Sequence, residues 1–112
     1  NEDLNWLVKK IISMRIYPDA EGKMNLSSID VRGQFLVVSQ FSLHARTKKG
    51  NRPSFIKAAR PMQAKALYED FIKELSIQSG HNVQHGRFGA DMQVSLINDG
   101  PLTIIIDTKN RH

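Results

Sequence analysis

Gln34 to Leu43 reads QFLVVSQFSL, and Phe35-Leu36-Val37-Val38 within it is apolar without interruption. β-Branched and aromatic residues favour extended backbone, and an apolar run without alternation marks a strand covered on both faces. Other parts of the chain must then supply the covering layers. Two segments with helical periodicity answer that demand. Leu4, Leu7, Val8, Ile11 and Ile12 fall on one face of a helix, with Glu2 and Asp3 at its start and Lys9 and Lys10 further along, as the helix dipole favours. Trp6 lies off the centre of that face and reads as a partly buried surface tryptophan. Pro61 is placed to open a second helix running to about Leu75, with Ala64, Leu67, Tyr68, Phe71, Ile72 and Leu75 on its core face.

The remaining apolar runs are short. Met14 to Tyr17 stops at Pro18-Asp19-Ala20-Glu21-Gly22, a turn. Val83 to Ala90 holds too many glycines for a regular strand. Met92, Val94 and Leu96 alternate with Gln93 and Ser95, which predicts a half-buried strand over Met92 to Ile97. A partner strand, Leu102 to Ile106, is expected to close the sheet. Asn98-Asp99-Gly100-Pro101 between them reads as a hairpin turn in which Pro101 fixes its own φ and removes a backbone donor. Lys109 to His112 reads as a frayed tail. The expectation is one α/β domain over residues 1–112, a mixed sheet with two packed helices.

Charge narrows the partners. The net charge is +5, and between Gly22 and Tyr68 nine basic residues face one acid, Asp30. Six of those bases lie in His44 to Arg60, HARTKKGNRPSFIKAAR, where Gly50, Asn51 and Pro53 make a loop around Lys48, Lys49 and Arg52 and Phe55 adds an aromatic ring. A basic, flexible loop with an aromatic suits single-stranded or strand-end RNA, and the same composition also fits a plain solvated connection. The chain lacks cysteine, so it has neither a disulfide framework nor a thiol nucleophile, and a cytoplasmic location fits best. No run approaches the roughly 18 apolar residues of a membrane span.

Conventional catalytic sets are missing. His81 and His85 stand four apart but are bracketed by Gly80 and Gly86, with no HExxH pattern and no cysteine to complete a metal site. Ser39 and His44 would face opposite sides of a continuous strand, and there is no GxSxG elbow, P-loop or dinucleotide fingerprint. What remains is Ser39, Gln40, the Phe41 N–H, Asn98, the Gly100-Pro101 peptide and Thr103. Such groups can hold an oxyanion and orient a water, but they include no strong general base.

Ser39-Gln40-Phe41-Ser42-Leu43 resembles the SQxxL signature of D-aminoacyl-tRNA deacylases, and Asn98-Asp99-Gly100-Pro101-Leu102-Thr103 resembles their NxPxT signature, which carries a Gly-cisPro element. Lys49 to Phe55, KGNRPSF, is similar to the family's KGxRPSF loop, Gly86 to Val94, GRFGADMQV, to its GRFxAxMQV run, and Tyr17 to Asn25 also fits. The resemblance implies a mixed sheet or barrel-like sandwich with two helices, and a homodimer with active sites at its interface. It implies hydrolysis of D-aminoacyl-tRNA, with glycyl-tRNA as a further substrate, and neither cofactor nor metal.

The implied roles are specific. Gly100-Pro101, held cis, would enter the partner's pocket and receive the substrate α-amino group on its carbonyls, leaving no room for an L side chain. Asn98 and Met92 would complete the substrate site. Phe41 N–H would hold the oxyanion, and Ser39 and Gln40 would shape the adenosine site. Lys48, Lys49 and Arg52 would hold tRNA. Thr103 is the family's candidate nucleophile; with no neighbouring base to activate it, a water assisted by the terminal ribose 2′-OH is the favoured attacking group. Family members carry a strand-rich segment, with an arginine supporting the Gly-cisPro element, ahead of the helix that starts here, so a longer native protein is expected. The competing expectation is a non-catalytic RNA-binding module.

Overall fold

The computed structural model describes residues 2–111; Asn1 and His112 lie outside the described residues. Helix α1 spans Glu2–Ser13 and helix α2 spans Pro61–Ser79. Both expected helices form, and α2 runs one turn beyond the expected end at Leu75. Pro61 supplies the first helical residue, where a missing N–H costs nothing, and Gly80 at φ 75° closes the last turn by donating its N–H to Ser76 O at 3.1 Å. The two helices pack together, and Val8, Ile12, Leu75 and Val83 form the buried core. Leu4, Ile11, Phe35, Val37, Phe71 and Ile72 pack around it. Trp6 is half-buried, as expected.

Between the helices lies a short antiparallel pair, β1 (Tyr17–Pro18) and β2 (Met24–Leu26). Its turn is organised by Asp19, whose Oδ1 accepts the N–H groups of Glu21 at 2.9 Å and Lys23 at 3.0 Å. Those bonds, the Lys23 amide foremost, hold the Asp19 carboxyl below the usual range. The chain then turns again at Ser27 and Asp30, each side chain bonding the other's backbone N–H.

Strand β3 (Leu36–Val37) pairs in parallel with β4 (Gln84–His85). The long strand expected over Gln34 to Leu43 is thus reduced to two residues, and it is covered on one face only: Phe35 and Val37 are half-buried, whereas Leu36 is 58% and Val38 38% exposed. The apolar run satisfies one packing layer here, and its other face meets solvent.

The expected strands Met92 to Ile97 and Leu102 to Ile106 do not form. Among the described residues no backbone hydrogen bond joins this stretch to a neighbouring strand, and Ile97 and Ile105 are 93% and 90% exposed. Extended backbone is a strand only when another strand satisfies its N–H and C=O groups, and the two small sheets stand elsewhere. The radius of gyration, 15.9 Å, accordingly exceeds the roughly 13 Å of a fully collapsed domain of this length. The tail also departs from expectation. Lys109 and Arg111 both ion-pair with Asp3, and the Arg111 guanidinium lies 4.0 Å from the centre of the Trp6 ring.

Candidate active site

Leaving β3, the chain passes through Val38, Ser39 and Gln40 into a 3₁₀ turn at Phe41–His44. Phe41 is the first residue of that turn, so the turn leaves its N–H unused. Ser39 is half-buried; Gln40 is exposed, and its Nε2 donates to Ser42 Oγ at 2.6 Å. The Phe41 ring meets Phe55 edge to face at 4.8 Å, which places the loop aromatic against the SQF segment.

Ser39, Gln40, Phe41 and His44 line one side of a cavity of about 700 Å³. Leu67, Tyr68 and Phe71 of α2 form another wall, Leu4 and Leu7 of α1 a third, and Phe88 reaches in from beyond β4. The lining is mostly apolar with a few polar groups, the usual make-up of a small-molecule site. Asp3 and Lys109 sit at its rim, joined by a 2.6 Å ion pair. Lys109 above all, with Arg111, keeps the Asp3 carboxyl below its ordinary value.

Tyr68 is the residue that sequence reasoning treated only as core. Its hydroxyl lies 2.8 Å from Gly86 O and 3.1 Å from Val37 O, and so ties α2 to β3 and to the residue that follows β4. Burial pushes its phenol up from the ordinary value. A hydroxyl on an otherwise apolar helix face was the available signal, since a buried tyrosine needs a partner. Phe88 was likewise quoted only as part of a motif, and its ring stands 5.7 Å from that of Tyr68.

The second set of expected site residues lies elsewhere. Asn98, Gly100, Pro101 and Thr103 are exposed and do not line the cavity. The Gly100-Pro101 peptide is cis, and Gly100 has φ 110°, a backbone region open to glycine and strained for L side chains. Met92 is half-buried beside Gly86, where a methyl group would stand 2.5 Å from Met92 Sδ. Within one chain, then, the SQF segment is in the cavity and the NDGPLT segment is not. Lys48, Lys49 and Arg52 are exposed on a loop that Arg46 and Ser54 close with two backbone hydrogen bonds of 2.6 and 2.9 Å. His81 and His85 are both exposed.

Comparison with known proteins shows the family. A D-aminoacyl-tRNA deacylase of Akkermansia muciniphila is 62% identical over 110 residues, covering 98% of this chain and 73% of the relative. The protein of the same description from Bacteroides fragilis is 58% identical over an equal span. Among solved structures, the c-Myc DNA Unwinding Element Binding Protein superposes with a TM-score of 0.80 at 38% identity, over 92% of this chain and 70% of that one. The sequence model of the D-Tyr-tRNA(Tyr) deacylases matches residues 1–107, and the chain belongs to that family of enzymes.

Proposed function

We propose that the chain hydrolyses the ester between a D-amino acid and the 3′-terminal adenosine of tRNA, releasing free amino acid and tRNA, with the corresponding glycyl ester as a further substrate. The observation that carries this reading is the placement of Ser39, Gln40 and Phe41 on the wall of a cavity of about 700 Å³, within the size range of small-ligand sites. The Phe41 N–H, left free by its own turn, is the donor for the developing oxyanion. Ser39 and Gln40 shape the nucleoside site. The attacking group is a water assisted by the ribose 2′-OH, with Thr103 the alternative nucleophile.

The proposal includes a homodimer in which the exposed Asn98 to Thr103 segment enters the partner's cavity. There Gly100-Pro101 excludes L side chains, and Asn98 and Met92 complete the substrate site. In that assembly the single domain and its extended 92–106 stretch complete a barrel-like sandwich. Lys48, Lys49 and Arg52 hold the tRNA, and the protein works in the cytoplasm. Among the described residues no helix is long and apolar enough to cross a membrane.

The exposed basic loop favours one other reading, a nucleic-acid-binding module without catalysis. Incubating the purified protein with D-Tyr-tRNA and L-Tyr-tRNA separates the two. Release of D-tyrosine with the L ester left intact is expected. Stable binding of tRNA with the D ester untouched would remove the enzymatic reading.

A further inference from the structure

A second concave surface lies on the far side of Tyr68 and Phe88. Its volume is about 780 Å³, and Lys65, Lys73 and Arg87 contribute cations, and His85 an imidazole, against one acid, Glu69. Lys65, Glu69, Ile72 and Lys73 stand at i, i+4, i+7 and i+8 on α2, so one helix face delivers both lysines to the cleft. Neither lysine, nor Arg87, is ion-paired among the described residues, and all three are exposed. His85 Nδ1 lies 3.0 Å from Gly86 O; donating there, it leaves Nε2 as the ring's other hydrogen-bonding atom.

Tyr68 and Phe88 also line the first cavity, so the two hollows share a wall of two aromatic rings. We infer that the cleft between α2 and β4 binds the phosphodiester backbone of an RNA strand whose 3′-terminal nucleoside occupies the first cavity. The strand passes over Tyr68 and Phe88, and the phosphates 5′ of the terminal residue lie against Lys65, Lys73 and Arg87. A merely solvated basic face has no reason to adjoin an apolar cavity, and here the cations of Lys65, Lys73 and Arg87 outnumber the one acid, Glu69, that lies between the two lysines on α2. Here several cations converge on one hollow, and aromatic rings at the junction give a base a surface to stack on. This site is separate from the 46–54 loop. Its strand direction rests on reading the first cavity as the nucleoside site.

The test is the salt dependence of binding of deacylated tRNA, measured for the wild-type chain, for Lys65→Gln/Lys73→Gln and for Lys9→Gln/Lys23→Gln. Each phosphate contact contributes about 0.7 to 0.9 to the slope of log K against log salt, so loss of both cleft lysines should lower the slope by about 1.4 to 1.8. The second pair removes the same charge away from the cleft and should leave the slope near that of wild type. An unchanged slope for the cleft variant, or equal losses for both pairs, overturns the inference. Hydrolysis is read separately. Cleft-dependent binding by a wild-type protein that leaves the D ester intact would remove the enzymatic function while the RNA-binding cleft stands.

Discussion

The 92–106 stretch is richer in Leu, Ile and Val than helices α1 and α2, with seven in 15 residues against nine in 31, yet it buries them far less. In the helical half Val8 is 0% and Leu75 1% exposed, because two amphipathic helices present matching stripes to each other. In 92–106 the alternation of Met92, Val94 and Leu96 is just as regular, yet Val94 and Leu96 are 49% and 64% exposed. A helix satisfies its backbone within itself and needs only a surface to pack on; a strand needs both a surface and a neighbouring backbone. Periodicity therefore states what a segment has to bury, and only for the helix does it nearly guarantee the element.

That contrast can be broken most forcefully at Leu75. Leu75→Ala should cost about 2 to 5 kcal/mol of unfolding free energy by urea titration, through lost transfer energy and an unfilled cavity. A cost below about 1 kcal/mol would mean that the helix pair is not the core. Tyr68→Phe should have a smaller effect, about 0.5 to 1.5 kcal/mol, since it removes the hydroxyl bonded to Gly86 O and Val37 O but keeps the ring. Its pH signature sharpens the assignment. Because burial raises the Tyr68 phenol, the neutral form stabilises the fold fully below the unfolded value of about 10, and that contribution is lost as pH rises through the higher folded value. The phenylalanine variant should lack this alkaline component. Smallest of all, for the chain as a monomer, should be Ile105→Ala, within about 0.5 kcal/mol, because the side chain is 90% exposed there. A loss several times larger would show that this face is covered in solution and would erase the difference between the two regions.

The helices were legible because their apolar residues recur with a helical period and Pro61 marks the start of α2, whose end at Gly80 lies one turn beyond the last core-face residue, Leu75. The turn at Asp19 was legible for a similar reason, since all of its hydrogen bonds close within a few residues. The strands were not. Leu36 and Val38 looked like two-sided core because nothing in a local window tells which faces are covered. The ties from Lys109 and Arg111 to Asp3 join opposite ends of the chain and have no local signature. At the site, the SQF and NDGPLT motifs were identifiable as strings. The participation of Tyr68 was hidden by its place on a core face, and the cationic cleft was hidden because its lysines come from α2 and its histidine and arginine from the β4 region.

Tyr68 and Phe88 belong to both hollows at once, and this bears on how substitutions combine. Changes far apart on a protein add in free energy, whereas changes that meet at a common neighbour do not. A substitution on the Ser39–Phe41 side and one on the Lys65–Lys73 side have this pair of rings between them. Moving either ring alters the walls of both hollows. Whatever selects the terminal nucleoside and whatever grips the strand behind it are therefore open to epistasis through a single aromatic partition, and neither preference can drift far without the other registering the change.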